Sequence, residues 1–238
     1  MILLDIEGTT TPIAFVTQVL YPYARTHLRS YLDGHRDSPE FLALLAAFRR
    51  EHAADEAAGE PVPPWADETA DARPSLRAYA AWLMDRDRKS PALKELQGDI
   101  WETGYQRGEL AGQVYEDVPR AFQRWRSEGV RLGIFSSGAV LAQRCLFRGS
   151  TAGDLSSFVD WYFDTHTGPK QDPESYRRIA AEVGEVPPQV LFVSDVVPEL
   201  DAARAAGLAT ILIVRPGNLP QPQHDHRVVQ SFDEITAT

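Results

Sequence analysis

The chain has a single cysteine, Cys145, in 238 residues. No intrachain disulfide can form, so the fold must rest on packing, and the thiol count fits a reducing compartment. Lysine is almost absent. Lys89, Lys94 and Lys170 are the only three, and arginine supplies the rest of the positive charge. A lysine that persists in such a chain hints that a compact ammonium is wanted. Codon bias accounts as well for Lys89, and Lys94 is open to either account. Basic residues are outnumbered, 24 against 34 acidic, for a formal net charge of −10. That argues against a nucleic-acid binder, which needs a basic face. It leaves room for a small anionic substrate, because local groups and a metal set the potential of a pocket. No apolar run is long enough to span a bilayer, and the N-terminus lacks a basic n-region, so neither a membrane span nor a signal peptide is expected. A cytoplasmic location follows.

What is present is ordinary in bulk: 43% hydrophobic and 24% charged residues, a balance typical of a globular protein. The length suits one large domain, or a core with an inserted domain. The opening is not ordinary. Met1-Ile2-Leu3-Leu4 is an apolar run of strand length that ends at Asp5-Ile6-Glu7-Gly8-Thr9-Thr10-Thr11-Pro12. In extended chain, side chains i and i+2 share a side. Asp5 and Glu7 are then expected to converge, and two carboxylates repel unless a cation or a shared proton intervenes. Mg²⁺ suits such a pair, because it takes carboxylate oxygens together with substrate phosphate.

From 13 to about 115 the pattern is mainly helical. Apolar spacing predicts helices over 16–32, with Pro22 as a kink, and over 39–52, with Phe41, Leu42, Leu44, Leu45 and Phe48 inward. A loop is expected over 53–65 and a helix over 71–88 on Leu76, Tyr79, Ala80 and Leu83. Ser90-Pro91 reads as an N-cap before a helix carrying Leu93, Leu96, Ile100 and Trp101. From 118 onward strands and helices alternate. Strands are expected at 130–135, 159–163, 189–193 and 209–214, and helices at 119–128, 139–146, 173–183 and 198–206. This predicts an α/β fold, a Rossmann-like parallel sheet with helices on both faces. The expected core is 1–13 with 116–238, and 14–115 is a helical cap inserted after the first strand.

In such sheets ligands bind at the carboxyl ends of the strands. Asp5/Glu7, Ser136/Ser137 and Asp195 all fall at strand ends, and Lys170 precedes a helix. Taken singly, each has a plain reading as a cap, a turn residue or a surface charge. Together they supply phosphoryl transfer through an aspartyl-phosphate. Asp5 attacks phosphorus, and Glu7 protonates the leaving oxygen and then activates water. Ser136 and nearby N–H groups hold phosphate oxygens, and Lys170 neutralises charge. Asp5, Asp195 and a group at position 7 hold Mg²⁺.

The order Asp5-x-Glu7-Gly8-Thr9, Ser136, Lys170, Ser194-Asp195 resembles the haloacid dehalogenase-like superfamily of phosphatases. That superfamily usually has Asp at the second acid, where this chain has Glu7. The departure narrows the match. Asp5-Ile6-Glu7-Gly8-Thr9-Thr10-Thr11-Pro12-Ile13 resembles the opening signature of enolase-phosphatases, or acireductone synthases. So do Ala92-Leu93-Lys94-Glu95-Leu96-Gln97-Gly98 with Trp101, Phe135-Ser136-Ser137-Gly138-Ala139-Val140 and Ser150-Thr151-Ala152-Gly153-Asp154. Tyr162-Phe163-Asp164-Thr165, Lys170 with Glu174-Ser175-Tyr176, and Val214-Arg215-Pro216-Gly217-Asn218 extend the likeness to about residue 218.

The resemblance implies a methionine-salvage enzyme with one Mg²⁺. It would enolise 2,3-diketo-5-methylthiopentyl 1-phosphate and hydrolyse the phosphate to give the acireductone. It further implies metal ligation by Asp5, Glu7 (in part through its backbone carbonyl) and Asp195, substrate binding by Ser136, Ser137 and Lys170, and catalysis by Asp5, Glu7 and Lys170. Glu199 would orient Lys170 or a metal-bound water, unless it is a solvated helix glutamate. The enolising base is left open, with Glu7 first and a cap residue second. Trp101 belongs either to an apolar pocket for the methylthio tail or to the core. A monomer acting on a small phosphate ester, with no nucleic acid and no membrane, is expected. The competing readings are another phosphatase, a phosphomutase, or a binding protein with a degenerate site; intact Asp5, Lys170 and Asp195 speak against the last.

Overall fold

The computed structural model describes residues 1–35, 38–66, 71–88 and 90–236, so Lys89 lies outside the described residues. The chain divides into two compact units, one of residues 1–18 with 105–238 and one of residues 19–104.

The first unit is built on six parallel strands: β1 Ile2–Leu4, β2 Leu132–Phe135, β3 Trp161–Phe163, β4 Leu191–Ser194, β5 Ala209–Ile213 and β6 Arg227–Val229. Their spatial order is β3-β2-β1-β4-β5-β6. The central strands β1 and β2 are buried along their whole length, as expected where helices cover both faces of a parallel sheet. Leu3, Phe135, Phe192 and Leu212 pack on one face with Tyr176, Ile179, Leu200 and Ala203, from helices Pro173–Glu182 and Val197–Ala205. An aromatic chain runs through Phe147, Phe122, Trp125 and Phe232, with ring centroids 5.3–6.3 Å apart. β1 pairs with β2 on one side and β4 on the other. The chain thus winds outward to β3 and then crosses back over β1 to start the other half. The carboxyl ends of β1 and β4 form the switch point where such sheets bind ligands. Asp5 follows β1 directly and Asp195 follows β4.

The second unit is helical: Tyr21–Gly34, Pro39–Ala57, Arg73–Asp85 and most of Pro91–Gln106. Its buried residues include Leu28, Leu32, Phe41, Leu44, Phe48, Leu76, Tyr79, Leu83, Leu96 and Ile100. The Ser90 hydroxyl accepts from Leu93 N–H at 2.9 Å, the expected cap.

Four expectations are corrected. The segment Val16–Leu20 is a π-helix, not α, ending two residues before Pro22; proline brings no N–H for the next turn, and the wider i→i+5 turn accommodates the gap. The helix from Pro39 runs to Ala57, because Ala53, Ala54, Glu56 and Ala57 are good helix formers and the first left-handed residue is Gly59, φ 81°. Leu42 is 58% exposed, on the outer side of that helix. Strand β6 was not expected; its first two residues, Arg227 and Val228, are exposed at the sheet edge and give no apolar run.

Candidate active site

The chain leaves the extended conformation after Leu4. Gly8, Thr10 and Thr11 make a tight loop: Gly8 N–H donates to Thr11 C=O at 2.8 Å, and Thr11 N–H to Ile6 C=O at 2.9 Å. Gly8 has φ 73°, a conformation that costs an L side chain but not glycine. Alternation therefore does not place Glu7. Asp5 is 4% exposed, whereas Glu7 is exposed and bridges to Thr11 through its backbone. The Asp5 backbone is held by its N–H to Val193 C=O (3.0 Å), and its Oδ2 lies 3.4 Å from the Thr9 hydroxyl.

Lys170 is brought from 165 residues away onto this carboxylate. Its ammonium pairs with Asp5 Oδ1 and, at 2.6 Å, with Glu199 Oε2. Burial alone would depress the lysine, but the Asp5 and Glu199 carboxylates outweigh it and hold the ammonium protonated above its ordinary value. Lys170 is thus a fixed positive charge, not a proton shuttle. Its backbone is pinned by the Tyr176 hydroxyl, which donates to Lys170 C=O at 2.6 Å, and by the Ser175 hydroxyl on Pro169 C=O at 2.8 Å. Gly168 is needed for this turn: a Cβ there would lie 2.2 Å from Ser175 Oγ. Glu199, on the helix after β4, also accepts from the Ser194 hydroxyl at 3.0 Å. Its pKa is raised, chiefly by burial and against the pull of Lys170.

Asp195 sits on the other side of the switch point, 5% exposed. Burial, then the Asp5 and Glu199 carboxylates, push its pKa up to about 7. Its Oδ1 is buried with no hydrogen-bond partner. A cation beside it would relieve both conditions. Among the described residues no three His, Cys, Asp or Glu side chains are gathered for a metal. A cation here would have two side-chain carboxylates, from Asp5 and Asp195, and would take further oxygens from backbone, water or substrate, a donor set that suits Mg²⁺.

Ser136 and Ser137 follow β2 at the same edge of the sheet. Ser136 is buried and Ser137 partly exposed. Ser136 N–H donates to Phe163 C=O at 3.2 Å, and its hydroxyl accepts from Gly138 N–H at 3.2 Å. Asp164, at the end of β3, accepts from Val140 N–H (3.2 Å) and so caps the helix Val140–Arg148 that follows the serines. The Gln143 amide donates to the carbonyls of Gly138 and Phe163 at 2.8 and 2.9 Å, which sets the loop's shape. Trp101 is 7% exposed, and its indole N–H donates to Leu20 C=O at 2.8 Å, within the helical unit.

Two residues that fasten this edge stood in the family-like run at 214–218 but were given no role by the sequence. Arg215 donates to Thr9 C=O (3.2 Å) and to the buried Asp117 (2.8 Å). Asn218 donates to Gly8 C=O at 3.0 Å. The signal available was the Pro216-Gly217-Asn218 turn directly after a strand, at the same sheet edge as the other polar clusters.

A family model for haloacid dehalogenase-like hydrolases matches residues 1–207. An enolase-phosphatase of Synechococcus elongatus is 52% identical over 234 residues, covering 98% of this chain and 96% of that protein. A maize protein described as a probable bifunctional methylthioribulose-1-phosphate dehydratase/enolase-phosphatase is 44% identical, with 98% of this chain matching 46% of it. Among solved structures, the UTR4 protein of Saccharomyces cerevisiae aligns with a TM-score of 0.79 at 35% identity, over 99% of both chains.

Proposed function

This chain belongs to the enolase-phosphatase family of haloacid dehalogenase-like hydrolases, and we propose that it enolises 2,3-diketo-5-methylthiopentyl 1-phosphate and hydrolyses the phosphate to give the acireductone of methionine salvage. The observation that carries the reading is the buried cluster of Asp5, Lys170 and Glu199, with Asp195 at the same switch point and its Oδ1 buried without a hydrogen-bond partner.

Enolisation comes first. A base takes a proton from the carbon next to a carbonyl, and the electron pair moves onto the carbonyl oxygen. Glu7 is the base of choice. Its side chain is exposed, and glutamate reaches about 1.5 Å further than aspartate by bond geometry. Asp5 then attacks phosphorus, the ester P–O bond breaks, and the enol oxygen leaves with a proton from Glu7. Water, deprotonated by Glu7, attacks the aspartyl-phosphate and frees phosphate. Lys170 holds Asp5 in line and offsets charge on the phosphate. Ser136, Ser137 and the N–H groups of their loop bind its oxygens.

Asp5 and Asp195, with the backbone carbonyl of Glu7, would hold Mg²⁺, which when bound neutralises negative charge on the phosphate and the enolate. The helical unit at 19–104 is the cap domain of such hydrolases. All the proposed catalytic residues come from one unit of one chain, so a second copy is not needed to complete the site and a monomer suffices, and its lone cysteine suits the cytoplasm.

The test is Asp5→Asn. Phosphate release should stop while the circular dichroism spectrum stays native, because the amide keeps the shape but cannot act as the nucleophile. Following phosphate and the enediol absorbance together, with Mg²⁺ or EDTA, separates the two steps. Full phosphate release in that variant would sink the covalent mechanism.

A further inference from the structure

Asn218 lies in the turn after β5. Its side-chain nitrogen donates to two carbonyls, Gly8 at 3.0 Å and Ile213 at 3.4 Å. Two acceptors on one side fix the amide's orientation, since exchanging oxygen and nitrogen would set three oxygens against one another. Oδ1 must therefore face away from them, and there it is buried with no hydrogen-bond partner. Asp195 Oδ1 is in the same condition. Both side chains approach Gly8, Asp195 through its other oxygen, Oδ2. A Cβ on that glycine would lie 3.0 Å from Asn218 Oδ1 and 2.3 Å from Asp195 Oδ2.

Both groups are acceptors, so neither can satisfy the other, and a buried acceptor left unpaired is costly. A hydrated cation resolves the conflict for both. It gives positive charge to the carboxylate and a water hydrogen to the amide oxygen. Mg²⁺ suits this, because it dehydrates reluctantly and keeps several waters when bound.

We infer that Asn218 is a positioning residue of the cation site: its Oδ1 accepts a hydrogen bond from the hydration shell of the cation held by Asp5 and Asp195, while its amide N–H₂ locks the Gly8 carbonyl. The inference rests on the proposed role of those two aspartates. Outer groups of this kind orient the primary ligands, and their loss typically weakens metal binding about 10- to 100-fold.

The alternative is that Asn218 only anchors the loop through its donors. Two variants separate the roles. Asn218→Ala removes donor and acceptor; Asn218→Asp removes the donors but keeps an acceptor oxygen at the Oδ1 position. Mg²⁺ affinity is measured calorimetrically on the full chain without substrate, and the metal-free melting temperature is recorded in parallel. Wild type and Asp195→Asn serve as references. Asn218→Ala should bind Mg²⁺ at least about tenfold more weakly than wild type, with Asn218→Asp retaining most of the affinity although its metal-free stability also falls. If Asn218→Ala binds like wild type, or if both variants weaken equally, the inference is overturned and Asn218 is a loop anchor. If Asn218→Ala fails to fold, Asn218→Asp decides alone: affinity near wild type supports the inference and a tenfold loss overturns it. If wild type binds no Mg²⁺, or Asp195→Asn binds it equally well, the cation site itself falls and takes the inference with it.

Discussion

Lys170 is a buried cation between two carboxylates in a chain that otherwise writes its positive charge almost entirely as arginine. A guanidinium is planar and wider than an ammonium, so it cannot occupy the same point between Asp5 and Glu199. Lys170→Arg should therefore lose kcat nearly as severely as Lys170→Ala, by about a hundredfold or more, the scale of a 1 Å misplacement. Near-wild-type turnover of the arginine variant would return Lys170 to a structural ion pair. Glu7 makes a different case, because its side chain is exposed. Glu7→Asp withdraws the carboxylate by about 1.5 Å. Release of phosphate from a simple ester should survive in part. Solvent deuterium exchange into the diketone substrate, which reports enolisation, should fall further, because proton abstraction needs near hydrogen-bond approach. Equal losses in the two assays would move the base elsewhere.

At the scale of an element, the loop after β1 shows why a glycine stands at position 8. Gly8 and Gly59 both have positive φ, 73° and 81°. Around Gly59 there is open space, whereas a Cβ on Gly8 would meet Asp195 Oδ2 at 2.3 Å. Gly59→Ala should cost only the left-handed backbone penalty, about 1–2 kcal/mol, and leave turnover unchanged. Gly8→Ala pays the same strain and also displaces Asp195, so activity should drop by about a hundredfold and thermal stabilisation by Mg²⁺ should vanish. Matching activities for the two variants would show that the close approach of Gly8 to Asp195 is unimportant.

Across the molecule, a second buried ion pair, besides that of Lys170, joins sequence-distant parts of the first unit. Asp117 accepts from Arg215 at 2.8 Å, from the Ser231 hydroxyl at 2.9 Å and from Phe232 N–H at 2.6 Å. Arg215 in turn reaches Thr9 C=O and Gln230 C=O, and stacks over Tyr115 with its guanidinium carbon 4.5 Å from the ring centre. Asp117→Ala leaves a buried guanidinium uncompensated, at a cost of about 3–5 kcal/mol. The melting temperature should drop by on the order of 10 °C. A shift of only a degree or two would mean that the network is dispensable.

The local sequence determined the sheet and much of the site. Buried parallel strands show as short apolar runs, and polar groups that follow such runs directly fall at the carboxyl edge of the sheet, so the placement of Asp5, Ser136 and Asp195 in the candidate site was legible from position alone. The helix ends were less so: 53–57 continued as helix because alanine propensity outweighed the approaching glycine and prolines, and β6 escaped notice because its edge position removes the apolar signature. Only the tertiary structure decided that Glu199 shares Lys170 with Asp5, that Asn218 and Asp195 both close on Gly8, and that Arg215, paired with Asp117, fastens the loop through Thr9. Each of these contacts joins residues that the chain's periodicity treats as independent. Their charges and lone pairs acquire a partner, or are left without one, only when the switch point brings the strand ends together and excludes water from them.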